Sequence, residues 1–141
     1  PFLRDRAWHL PQPISNEALA RMQSAAACFV GKQDFAAVKN EGTPVKSTVR
    51  TIFYCEVEER PGDIIAIRVC ADGFLYNMVR IMVGTLIYVA EGKINADEIP
   101  EIIKSCDRSR AGKTAAAHGL YLNKVFYENG GDIGWNINEK R

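Results

Sequence analysis

The sequence predicts an α+β domain in which an antiparallel β-sheet is covered by helices on one face. Three observations lead there. Residues 49–60 and 64–71 alternate apolar and polar side chains about a Pro61-Gly62-Asp63 turn, the pattern of an antiparallel hairpin. Apolar residues recur at helical spacing in three other stretches, each with its own start or stop signal. The segments run in the order helix, strand, strand, helix, helix, strand, with no internal repeat or linker between them. The expected organisation is one domain over residues 1–127, opening with an extended lead-in at 1–13, and a polar tail at 128–141.

Taken in order, the lead-in holds Arg4, Arg6, Trp8, His9, Pro11 and Pro13 without helical period. Ser15 then reads as an N-cap, with Glu17 in the first turn and Ile14 opposite Leu19 as a hydrophobic staple. Leu19, Met22, Ala26 and Phe29 form the apolar face of that helix, and Gly31 is expected to close it. Residues 34–38 read as a short edge strand and 39–47 as a polar loop. In the hairpin, Thr51, Phe53, Cys55 and Val57 share one predicted core face, and Ile65, Ile67 and Val69 share the other strand's. Asn95 and Glu98 form a capping box for a helix whose buried stripe is Ile99, Ile102, Ile103 and Cys106, although Pro100 requires that helix to begin late or to bend. Residues 105–119 read as a long loop carrying Arg108, Arg110 and Lys113 against one acid, Asp107, and residues 119–127 as a strand.

Composition narrows the function classes. With 141 residues, 47% hydrophobic and 25% charged, the chain suits one soluble domain with a sizeable core. Eighteen Lys and Arg against 17 Asp and Glu give +1, so any nucleic-acid site must come from local clustering. Cys28, Cys55, Cys70 and Cys106 lie far apart with no C-x-x-C, and only His9 and His118 are present to join them. Neither a zinc site nor a disulfide framework is expected, and reduced thiols in a cytoplasmic location fit. The chain lacks an initiating Met and is expected to be a fragment of a longer one. Nucleophile-elbow, zincin, phosphate-loop and dinucleotide motifs are absent, and Asp5, Asp34, Asp72 and Asp107 are scattered carboxylates with no pairing for acid/base work.

The longest apolar run, residues 73–92, contains one charge, Arg80. As a helix from Phe74 to Ala90 it is apolar around most of its circumference and stopped by Gly92, and Asn77 and Arg80 argue for a core helix rather than a membrane span. Arg80 shares its face with Tyr76, Asn77, Gly84 and Ile87, and the missing side chain at Gly84 lets another group approach beside the guanidinium. Two readings stand: an arginine that pairs with a structural carboxylate or snorkels to the surface, and one aimed at an anion in a site. The basic loop has two readings as well, a phosphate contact or a solvated surface.

Two long motifs carry a resemblance: Gly-Phe-Leu-Tyr-Asn-Met-Val-Arg-Ile-Met-Val-Gly-Thr-Leu from Gly73, and Asp-Arg-Ser-Arg-Ala-Gly-Lys-Thr-Ala-Ala-Ala-His-Gly-Leu-Tyr-Leu from Asp107. Together with residues 29–35 and 48–52, they resemble the C-terminal half of the TruA family of tRNA pseudouridine synthases, over essentially residues 1–127. The resemblance implies an isomerase that needs no cofactor and acts on the anticodon stem-loop of tRNA. An aspartate attacks the nucleoside, the glycosidic bond breaks, and the uracil turns and is rejoined through carbon. It further implies that the aspartate lies in a Gly-Arg-Thr-Asp motif of the N-terminal half, which this sequence lacks, so that the chain alone is inactive. By position Arg80 pairs with that aspartate, Leu120 lines the uracil pocket with Tyr76 nearby, and Arg108, Arg110 and Lys113 contact RNA. Family members are homodimers without membrane attachment. Arg110 and Lys113 make the loop more basic than the family pattern. The alternative is a non-catalytic RNA-binding module of the same fold.

Overall fold

A computed structural model of the chain describes residues 14–42, 44–61 and 64–116. All of these except Ala116 fall in one compact unit, Leu10–Ala115. The lead-in, the strand expected at 119–127 and the polar tail lie outside the described residues.

Helix α1 (Asn16–Ala27) starts where expected: the Ser15 hydroxyl oxygen accepts from the Ala18 N–H at 3.1 Å, and Ser15 itself is extended. Its inward face, Ala18, Met22, Ala25 and Ala26, is small enough to pack closely on the sheet and on the later helix. The helix ends at Cys28, ahead of the predicted stop. Gly31, at φ 115°, begins strand β1 (Gly31–Asp34). The edge strand expected over 34–38 is therefore displaced: Ala36–Val38 is a 3-10 turn. Its cause is Asp34, whose Oδ1 accepts from the Ala36 N–H at 3.1 Å and from the Thr48 hydroxyl at 2.6 Å and so curls the chain out of the sheet.

Strands β2 (Val49–Arg60) and β3 (Ile64–Ala71) have the predicted bounds, and the sheet runs β1-β2-β3, antiparallel throughout. The predicted inward face of β2 needs correcting. Ile52 pairs with Ala71 and Tyr54 with Cys70, so one extra residue is accommodated between them. The bulge reverses the alternation: Ile52, Cys55 and Val57 are buried, whereas Phe53 is 58% exposed and Thr51 is not in the core. A period-two pattern read across a bulge assigns one side of it to the wrong face. The outer face carries the Arg68–Glu56 cross-strand pair at 3.7 Å, an exposed contact that contributes little to stability.

Helix α2 (Met78–Ala90) buries Met78, Ile81, Met82, Leu86 and Val89 in a core to which α1 and the inward residues of the sheet contribute. It starts four residues later than the apolar run suggested, and it stops as expected, with Gly92 at φ 81° and its N–H on the Val89 carbonyl at 3.1 Å. Glu98 accepts from the Asn95 N–H at 2.9 Å, completing the capping box ahead of a 3-10 turn, Ala96–Glu98. Helix α3 (Ile99–Ser105) follows, with Pro100 in its first turn, where a missing N–H costs nothing. Ile99, Ile102 and Ile103 are buried, but Cys106 is exposed and at φ 53° ends the helix instead of continuing its stripe.

Ser15→Ala removes the side-chain cap of the α1 N-terminus and is expected to lower the stability of the full-length protein by about 1 kcal/mol. Urea unfolding measures this; an unchanged midpoint would show that the cap carries no weight.

Candidate active site

The path from β3 to α2 decides where Arg80 points. Asp72 is pinned to β2, accepting from the Thr51 N–H through Oδ1 at 2.9 Å and donating its own N–H to the Thr51 carbonyl at 3.0 Å. Leu75 is buried, and Asn77 then adopts the left-handed conformation, φ 58°, which Asn tolerates better than other non-glycine residues. That sharp entry sets the first turn of α2, and Asn77 Oδ1 accepts from Arg80 Nη1 at 3.1 Å.

A second tie comes from a distant segment. Arg80 Nε donates to the Ala115 carbonyl at 2.7 Å, and the Ala115 N–H donates to the Arg80 carbonyl at 3.0 Å. Side chain and backbone of one residue thus grip the backbone of the other. The ion pairs among the described residues are Arg60–Glu58, Arg68–Glu56 and Lys93–Glu91, all exposed and none involving Arg80. Among the described residues no carboxylate pairs with Arg80. Its half-buried guanidinium is oriented by neutral acceptors, with Nη2 making no hydrogen bond to a described residue. A charge held this way is available to an anion from elsewhere.

The segment that carries Ala115 lies directly on α2. A Cβ on Gly84 would stand 1.6 Å from the Lys113 carbonyl oxygen, and one on Gly112 would stand 2.6 Å from Thr85 Cα. Backbone therefore meets backbone across two glycines, as the bare position at Gly84 suggested. Thr85, fully buried, makes the contact polar and satisfied: its hydroxyl donates to the Ile81 carbonyl at 2.7 Å and accepts from the Gly112 N–H at 2.9 Å.

The other expected site residues divide. Arg108 turns inward: Nε donates to Asn40 Oδ1 at 3.0 Å, Nη1 to the Gly112 carbonyl at 2.8 Å and Nη2 to the Thr114 hydroxyl at 3.2 Å. Arg110 and Lys113 are exposed. Asp107 caps the 3-10 turn Arg108–Arg110, and the Ser109 hydroxyl and N–H, with Arg110 adding, hold its carboxyl below the usual range. Tyr76 is 58% exposed just before α2, with its ring over Gly42, where a Cβ would stand 2.8 Å from Cδ2. Leu120 lies outside the described residues. The site residue that sequence reasoning missed is Asn40. Besides accepting from Arg108, it donates its N–H to the Tyr76 carbonyl at 3.2 Å and its Nδ2 to Thr114 at 3.4 Å. It sits in a polar loop with no periodicity to mark it.

Among the described residues no three His, Cys, Asp or Glu side chains converge as metal ligands. All four cysteines are free thiols, and Cys55, buried and beside Glu56, has its pKa pushed up to about 12. No described helix is long and apolar enough to cross a membrane.

Among the described residues, the α+β unit orients the Arg80 guanidinium through neutral acceptors and supplies it no carboxylate. The family follows from the comparisons: the family model for tRNA pseudouridine synthase matches residues 25–128, and the chain belongs to that family, as a TruA-type member. It is similar to tRNA pseudouridine synthase A of Acetivibrio thermocellus, 50% identical over 126 residues, which are 89% of this chain and 50% of that protein. It is also similar to tRNA pseudouridine synthase A of Thermoanaerobacter pseudethanolicus, 46% identical over 127 residues, 90% of this chain and 50% of that protein. The tRNA pseudouridine synthase A 1 of Bacillus cereus strain ATCC 10987 is 42% identical over 128 residues, 91% of this chain and 50% of that protein. The chain spans about half the length of the curated relatives it matches.

Gly84→Ala places a methyl group inside the Lys113 carbonyl, which as backbone cannot rotate away. It is expected to destabilise the full-length protein by about 1–3 kcal/mol. The loop amides from Gly112 to Ala115 should lose hydrogen-exchange protection before the core does, and a variant with wild-type stability and loop protection would contradict the packing described.

Proposed function

We propose that this chain is the C-terminal half of a tRNA pseudouridine synthase that isomerises uridine in the anticodon stem-loop, and that Arg80 is its contribution to the reacting centre. The observation that carries this reading is the guanidinium itself: fixed by Asn77 and Ala115, half-buried, and paired with no carboxylate among the described residues. The nucleophile is then an aspartate of the N-terminal half. Its carboxylate attacks the nucleoside as the glycosidic bond to nitrogen breaks; the uracil turns and rejoins through carbon, which releases the carboxylate, and that carbon loses its proton while the freed nitrogen gains one. The reaction requires no cofactor.

Physics assigns Arg80 its part. A carboxylate in a water-poor cleft has its pKa raised by desolvation, and an adjacent guanidinium keeps it ionised. The planar fork also aims the attacking oxygen, which a lysine point charge does less well. Tyr76, exposed at the mouth of the α2 entry turn, and Leu120 are assigned to the uracil pocket, with Arg110 and Lys113 on phosphates that position the RNA. Among the described residues β3 has no strand on its outer side, an edge that suits a larger sheet shared with the other half. The working form is a cytoplasmic homodimer.

In the full-length enzyme Arg80→Ala is expected to lower single-turnover pseudouridine formation by at least about a hundredfold, the scale of losing one preorganised electrostatic partner. Far-UV circular dichroism and tRNA affinity should stay close to wild type. Turnover near the wild-type rate would remove Arg80 from the reaction. A wild-type enzyme that binds tRNA and forms no pseudouridine would favour the RNA-binding module instead.

A further inference from the structure

We propose that Arg108 is a positioning residue for Arg80, acting through the loop backbone, and that it does not contact RNA. The proposal rests on the reading of Arg80 given above. Arg108 belongs to the most basic stretch of the chain, yet it spends each of its three guanidinium nitrogens inward. It reaches Asn40 Oδ1, the Gly112 carbonyl and the Thr114 hydroxyl at 3.0, 2.8 and 3.2 Å. These acceptors lie on both sides of Lys113 and on a loop distant in sequence. The fork therefore closes residues 108–114 on themselves and fastens them to residue 40.

The next residue after that closed segment is Ala115, whose carbonyl receives Arg80 Nε at 2.7 Å. Three further restraints act on the same short stretch. Gly112 N–H is on the Thr85 hydroxyl at 2.9 Å, the Lys113 carbonyl lies over Gly84, and Ala115 N–H is on the Arg80 carbonyl at 3.0 Å. These hold the backbone against α2 along its course from Gly112 to Ala115. Arg108 fixes that course by holding the Gly112 carbonyl and the Thr114 side chain at once. Asn40 completes the frame, because its N–H is on the Tyr76 carbonyl at 3.2 Å and so ties the same knot to the entry turn of α2.

Charge alone does not perform this task, and that separates it from phosphate binding. A lysine at position 108 keeps the positive charge and loses the planar three-way fork. In the full-length enzyme Arg108→Lys and Arg108→Ala are both expected to lower the single-turnover rate at saturating tRNA by about tenfold to a hundredfold, as misplacement of a reacting group by about 1 Å does. Both should leave the tRNA Kd within about twofold of wild type and the slope of log K against log salt unchanged. Asn40→Ala and Thr114→Val, which disturb the fork without touching charge, should show the same split and serve if the Arg108 variants do not fold. In arginine-labelled enzyme the Nε–H resonance of Arg80, which donates to the Ala115 carbonyl, should shift in Arg108→Lys, a change that a general loss of stability in a still-folded enzyme would not produce.

A rate restored by lysine, together with an Ala variant that binds tRNA more weakly and loses about one unit of salt slope, would overturn the proposal in favour of a phosphate contact. Unchanged rates in every variant would overturn it as well. If Arg80→Ala is itself fully active, the reading of Arg80 falls; if Arg80→Ala is inactive and Arg108→Lys is wild type, only the present proposal falls.

Discussion

The structure depends on one close approach, that of the Lys113 carbonyl to the bare face of α2 at Gly84. A helix normally keeps a neighbouring backbone at side-chain distance. Here two glycines, Gly84 on the helix and Gly112 on the loop, remove that spacing, and the buried Thr85 hydroxyl satisfies the polar group that the contact would otherwise strand. The Ala115 contacts that, with Asn77, give Arg80 a defined direction follow from it. With the loop at this distance Ala115 can meet Arg80 through both its N–H and its carbonyl; one side chain further out, neither bond could form.

The helix that carries Arg80 is rigid for an ordinary reason. Its inward residues are fully buried among α1 and the sheet, so its axis is set by the core of the whole unit. Besides the close approach at Gly84, unusual features gather at its start: Asn77 in a left-handed conformation, an arginine in place of another apolar residue, and an exposed tyrosine just before it. Strain and polarity of this kind persist when the surrounding structure fixes them, and they gather where a chain does chemistry. In this member of the tRNA pseudouridine synthase family, the start of α2 thus holds one guanidinium in place through Asn77 and Ala115.

Much of this was legible in the residues, and the failures have physical causes. The hairpin bounds, the Ser15 cap and the Gly92 stop are local chemistry, and each is found as read; of the two readings left open at Pro100, a late start or a bend, the late start is found. Phe53 was assigned to the wrong face because a bulge, one residue long, leaves no mark in an alternating pattern. Cys106 continued a helical stripe on paper, but its left-handed backbone ends the helix. The bare position at Gly84 announced a close neighbour, whereas the identity of that neighbour, and the inward turn of Arg108, depend on contacts between segments far apart in the chain. Asn40 could be found only by following those contacts.

We propose that Arg80 is held by neutral acceptors so that a carboxylate from outside this chain can use it. An experimental structure of the full-length enzyme tests that most directly. Arg80 Nε is expected still on the Ala115 carbonyl, with the Nη2 edge within about 4 Å of an aspartate carboxylate from the other half, the range of an ion pair. A guanidinium turned to solvent, or one paired with a carboxylate of residues 14–116, would contradict it.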